Sequence, residues 1–274
     1  MLFSTFTSML PGWLLFVVIV GGIIGLSCLG VTVKHWRERR LIIDPDAAFP
    51  LHEKDEEANR IAFDYLAVMY AFMLSLLVVS AQQKLHSAEV AVDIEAAAVL
   101  SAARDSIGLP WPLRGHVQDE LRLYTQLVIK DDWSVIRGGH QDNEEPLAAS
   151  NELSRLWIDY GAQIPRAPLG DDLIENLNTI SVQRAERFDI SREAIPDALW
   201  LFLAIGTIVL IHLATATHVE TLKQHLRVIV FISAPMAIFL WLIAELDNPF
   251  GGIMHISATP FVHALQVIRQ VSGH

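Results

Sequence analysis

Four stretches of this 274-residue chain are long and apolar enough to leave water as whole segments, and nothing else in the sequence constrains the fold as strongly. A bilayer core of about 30 Å is crossed by ~20 apolar residues in a helix. Residues 13–33 carry no charge, 61–81 carry only Asp64, 198–217 have His212 as their only histidine or charged residue, and 228–244 are uncharged. Inside hydrocarbon every backbone N–H and C=O must be satisfied by the segment itself, so runs of this length are predicted to be helices. The composition agrees: 19% of residues are charged, against roughly 25% in soluble domains. Residues 1–30 lack the basic start and short apolar core of a signal peptide, so the first stretch is predicted to be a retained span. Trp13, Trp200 and Trp241 stand near span ends, where indoles favour the membrane interface. Gly21, Gly22 and Gly25 would let another helix come close to the first span.

Loop charges predict an orientation. Residues 34–60 hold six Lys or Arg, residues 218–227 hold Lys223 and Arg227, and residues 1–12 hold none. Basic short loops stay in the cytoplasm. Both termini and residues 82–196 are then expected on the outer face of a bacterial inner membrane. Residues 82–196 contain 11 basic and 19 acidic residues and read as helices. No Pro or Gly interrupts residues 61–106, so the second span is expected to continue as one long helix. Residues 116–135, 144–160 and 171–193 show the i, i+3, i+4 spacing of half-buried helices, and no strand-period run occurs. The fold class read here is all-α: a multi-pass membrane protein with four transmembrane helices and a helical extramembrane domain between spans two and three. The divisions are 1–81 for the first two spans and their basic loop, 82–196 for the acidic helical domain, 197–246 for the last two spans, and 247–274 for the tail.

Chemistry is sparse. No phosphate-binding glycine loop, nucleophile elbow or H-E-x-x-H pair is present, and nothing in the sequence points to an enzyme, a cofactor or a metal. One cysteine, Cys28, excludes an intrachain disulfide framework. A net charge of −11 argues against nucleic acid as a partner. Adjacent acids such as Asp131 and Asp132 read as a solvated surface. Ionisable groups in spans weigh more, because a charge at the bilayer centre costs at least ~2.5 kcal/mol. Asp64 stands one turn inside the second span, within helical reach of Arg60. His212 lies two-thirds along the third. Glu245 and Asp247 follow the fourth and could ring a channel mouth. These four are the candidate ion-pathway residues.

Three segments carry a resemblance: YAFMLSLLVVSAQQKLHSAEVAVDIEAAAVL from Tyr70, AIPDALWLFLAIGTIVL at the third span, and ELDNPFGGIMHISATPFVHAL after the fourth. Across nearly all of residues 55–266 the chain resembles the bestrophin-like domain family of unknown function, four-span bacterial membrane proteins. Its most specific mark is L-D-x-P-F-x-G, here Leu246, Asp247, Pro249, Phe250 and Gly252. That family is similar to bestrophins, pentameric and mostly anion-selective channels whose second helix lines the pore and narrows it with three apolar residues. The resemblance implies a homo-oligomer, five-fold by analogy, with Val68, Phe72 and Leu76 at the neck. Ser75 stands where bestrophins have glycine. Gly252-Ile-Met-His255 replaces their calcium-binding acids, so calcium control is not implied. Bestrophins also keep both termini in the cytoplasm, the reverse of the charge count here. The functional expectation is a bestrophin-like ion channel. The other reading is a non-conducting scaffold or accessory subunit that binds a protein partner through its acidic helical domain.

Overall fold

In the computed structural model, described for residues 11–41, 49–138, 146–165, 168–217, 219 and 221–272, every regular element is helical. Helix α1 (Gly12–Phe16) passes through a π-helical turn, Val17–Gly21, into α2 (Gly22–Leu41). Then come α3 (Phe49–Asp105), α4 (Leu113–Leu127), α5 (Trp133–Arg137), α6 (Leu147–Arg155), α7 (Pro168–Arg192), α8 (Asp197–Ala216), α9 (Leu222–Asp247) and α10 (Thr259–Ser272). Four helical runs are long and apolar enough to cross a membrane. The chain forms two compact units: residues 1–82 with 195–247, and residues 83–194 with 248–274. Helix α3 is continuous, as its lack of Pro and Gly implies, and supplies residues to both.

The first unit packs α1, α2, the front of α3, α8 and α9 around Leu15, Tyr70, Leu74, Trp200, Leu203, Leu240 and Ile243. Lipid tails are as apolar as leucine, so association of such helices relies on close fit and on interhelical hydrogen bonds. One such bond joins α3 to α8. The Tyr70 hydroxyl lies 2.6 Å from Thr207 Oγ1 and donates across 3.1 Å to the Leu203 carbonyl. Gly206 makes room for this ring: a Cβ there would fall 2.6 Å from it. A second tie comes from Lys34, whose ammonium donates to the Thr215, Ala216 and Thr217 carbonyls at 2.9, 3.1 and 3.1 Å. It thereby satisfies the bare C-terminal carbonyls of α8. Of the three tryptophans expected at the interface, Trp13 is exposed, Trp200 belongs to the core, and Trp241 meets Phe16 edge-on at 5.2 Å. Gly21, Gly22 and Gly25 have open space where a Cβ would stand, so none of the described residues uses the close approach they permit.

The second unit wraps α4–α7 and α10 around the rest of α3. The buried side of α3 is rich in alanine (Ala88, Ala91, Ala96, Ala102, Ala103), which brings neighbouring helices close. Glu95, fully buried on that side, needs a counter-charge. Arg187 of α7 supplies it through two parallel bonds, Nε to Oε2 at 2.8 Å and Nη2 to Oε1 at 3.1 Å, and Tyr124 of α4 donates to Oε1 at 2.7 Å. Arg187 also reaches Asp132 at 3.1 Å, and Arg184 grips Asp132 at 2.9 and 3.1 Å. Two carboxylates thus meet two guanidiniums with no net charge. This corrects the expectation of a solvated surface at Asp131 and Asp132 for the second of the two; Asp131 is half-buried and outside the network. A π-helical turn at Val128–Asp132 rotates the chain between α4 and α5, and Asp132 is fully buried. Burial alone would lower the Arg187 pKa, but Glu95 and Asp132 outweigh it and hold the guanidinium charged. Burial, followed by the charge of Glu95, pushes the Tyr124 phenol well above its usual range, so it stays a donor. The tail is helical as well: α10 lays Phe261, Ala264 and Ile268 into this core.

Two outcomes follow. Gly206→Ala should destabilise the particle by about 1–3 kcal/mol through overpacking against Tyr70, whereas Tyr70→Phe should cost only about 1 kcal/mol; SDS-induced unfolding in mixed micelles measures both. Arg187→Met should cost about 3–5 kcal/mol, because it strands a buried charge. Lysine at that position should not restore stability, since an ammonium cannot reproduce the planar fork; thermal unfolding decides.

Candidate functional site: an exposed face of α3

Helix α3 is two-faced within the first unit. Tyr70 and Leu74 are 5% exposed and point into the bundle, whereas Val68, Phe72 and Leu76 are 70%, 60% and 50% exposed. Their i, i+4, i+8 spacing stacks these three on one side of a helix. Asp64, one turn before Val68, is exposed on the same side, and Ser75 is exposed beside Leu76. Arg60 is exposed too, and no ion pair within 4 Å joins it to Asp64 among the described residues. The face is therefore a ladder with a carboxylate at one end and three apolar rungs above it. A carboxylate on a spanning helix needs water or a polar partner, because lipid offers neither.

The other expected pathway residues do not join this face. His212 is exposed on α8. Glu245 and Asp247, read from the sequence as a possible charged ring, are 2% and 1% exposed. Asp247 Oδ1 accepts the Ile195 N–H at 3.0 Å, which holds the backbone just before α8. A sequence shows that a carboxylate follows a span but not whether the chain folds over it.

The L-D-x-P-F-x-G element serves the fold on both sides of residue 247. Leu246 and Asp247 are buried in the first unit. In the second, Phe250 is fully buried and meets Trp133 edge-on at 5.9 Å. The Ile256 N–H donates to the Pro249 carbonyl at 2.9 Å, closing the loop before α10. Gly252 turns this loop with φ 72°, a left-handed conformation that side chains penalise. Among the described residues no group of three or more His, Cys, Asp or Glu is placed to hold a metal ion. Gly252→Ala should lower stability by about 1–2 kcal/mol from the backbone penalty alone, seen as an earlier thermal transition with the helical content of the folded state unchanged.

Residues 25–261 match the Bestrophin-like domain. The fold is similar to the crystal structure of a bacterial bestrophin homologue from Klebsiella pneumoniae, with a TM-score of 0.65 at 16% identity, covering 94% of this chain and 98% of that one. A single-substitution variant of that homologue gives a TM-score of 0.63 at 16% identity, covering 94% and 99%. At such identities the likeness is one of fold. No curated protein sequence matches the chain.

Proposed function

Because the chain belongs to the bestrophin-like family, we propose that it is the subunit of a homo-oligomeric ion channel in which α3 lines the pore. The observation that carries this reading is the shared exposed face of Asp64, Val68, Phe72 and Leu76. In a ring of copies with α3 innermost, Asp64 would meet water at the pore entrance rather than lipid. Val68, Phe72 and Leu76 would form stacked apolar rings, and such a constriction stops ions by dewetting. Five copies follow from the likeness to bestrophins. The bland use of the same face, packing against another helix or lipid, explains the apolar rungs but leaves the Asp64 carboxylate without a partner.

The membrane orientation proposed here follows the loop charges: residues 34–60 and 218–227 in the cytoplasm, residues 82–196 outside. The bonds from Lys34 to the end of α8 bring the starts of both basic loops to one side, and the loop charges assign that side to the cytoplasm. In a Cys28→Ala background, Ser154→Cys should then react with an impermeant thiol reagent in intact cells and Glu57→Cys should not. The opposite labelling would restore the bestrophin orientation.

Two measurements test the channel itself. Light scattering of the purified particle in detergent should give a multiple of 30.6 kDa consistent with a closed ring. A low-order particle that gains mass only with a co-purifying protein would favour the accessory-subunit reading. Phe72→Ala should widen the constriction and raise ion flux into liposomes several-fold. Unchanged flux together with a weakened oligomer would assign Phe72 to packing and remove α3 from the pore.

A further inference from the structure

Residues 248–274 contain no Asp or Glu, although the chain as a whole holds 31 of them and a net charge of −11. The segment starts where the helix of the fourth span ends, at Asp247, and opens with a closed loop. Phe250 roots this loop against Trp133, and the Ile256 N–H bond to the Pro249 carbonyl shuts it. Its tip turns outward: Ile253 is 57% and Met254 46% exposed, and Gly252 and His255 are exposed beside them. An extended residue advances at most ~3.6 Å, so Ile253, six residues past Asp247, stands within about 22 Å of the end of that helix. Arg137, the last residue of α5, lies beside the loop. His255 Nδ1 is 3.1 Å from the Gly252 carbonyl, which only accepts, so the ring proton sits on Nδ1. Nε2 of that tautomer accepts, and it faces Arg137 Nη2 at 3.5 Å. The imidazole thus orients the guanidinium and leaves its charge uncancelled. Arg137 is exposed and makes no ion pair within 4 Å among the described residues. An oriented cation, two exposed apolar side chains and a stretch without carboxylates therefore come together close, along the chain, to the end of a span.

We infer that Arg137 and the tip of the 249–256 loop form a docking site for an anionic phospholipid, with the lipid phosphate on the guanidinium and the start of its tails against Ile253 and Met254. The planar guanidinium fork matches the oxygens of a phosphodiester. Ile253 and Met254 gain by leaving water at the edge of the headgroup layer, as the apolar side of an interfacial segment does. The sign of the headgroup follows from the charges around it. A zwitterionic lipid brings an ammonium with its phosphate, and no residue from 248 to 274 offers a carboxylate to receive it. A soluble phosphate ester has the same oxygens but no tails, so it would use Arg137 and leave Ile253 and Met254 in water. The site rests on none of the observations that point to a pore, and it holds whether or not a ring of copies conducts.

Native mass spectrometry reads the site on the full-length protein, released from detergent micelles that hold equal amounts of dioleoylphosphatidylglycerol and dioleoylphosphatidylcholine. The wild type should retain the anionic lipid over the zwitterionic one by up to about fivefold, the worth of one arginine at an anionic surface. Arg137→Gln, an exposed change, should bring the ratio close to one. Ile253→Ser combined with Met254→Ser should lower retention of the anionic lipid severalfold, with the circular dichroism and thermal unfolding of the wild type. Glycerol 3-phosphate in large excess should displace none of it. Equal retention of the two lipids by the wild type, an unchanged ratio in Arg137→Gln, undiminished retention in the serine variant, or displacement by glycerol 3-phosphate, the mark of a site for a soluble anion, would each overturn the inference.

Discussion

Backbone polarity sets the terms for the first unit. A peptide group in hydrocarbon finds no water, so each crossing must close its own hydrogen bonds and only helices of ~20 residues serve. Once the crossings are helices, hydrophobicity no longer draws them together, because lipid is as good a neighbour as a leucine. Their arrangement then depends on shape and on a few polar ties. Gly206 admits the Tyr70 ring, the Tyr70 hydroxyl reaches Thr207, and Lys34 closes the end of α8. The same shortage of water makes Asp64 informative. The Asp64 carboxylate, exposed on α3, is the polar group that water in the proposed pore would hydrate.

The second unit solves a different problem. Its alanine-lined stretch of α3 allows close packing, yet two acids are buried there and in the neighbouring turn. They are tolerable because Arg184 and Arg187 form a network with them in which charges cancel and nearly every oxygen is bonded. Such a network adds little net stability over an apolar core, but any single deletion strands a charge. It therefore acts mainly as a register device, holding α3, α4, α5 and α7 in one arrangement.

How much of this was legible beforehand depends on the signal involved. The spans were legible because ~20 apolar residues have few alternatives, and the continuity of α3 because nothing between residues 61 and 106 could break it. The neck candidates Val68, Phe72 and Leu76 came from spacing together with resemblance, and the structure shows them exposed on one face. The charge network was not legible. Arg184, Arg187 and Asp132 sit in amphipathic segments where charged residues ordinarily mark the wet side, and the π-helical turn that carries Asp132 inward has no composition of its own. Glu245 and Asp247 were misjudged for a related reason: adjacency to a span places a residue along the chain, not relative to the surface.

By itself the sequence determined the all-helical class, the four apolar crossings and the long second helix. Each of these rests on local physics: hydrocarbon length and the absence of helix breakers. Only the tertiary structure decided which charges are inside, which face of α3 stays open, and that the last helix completes the core of the second unit. Those outcomes depend on pairings between residues as far apart as Glu95 and Arg187, and a pairing energy belongs to two positions at once. Periodicity reports how one helix divides its own faces, whereas the partner that buries a face comes from elsewhere in the chain.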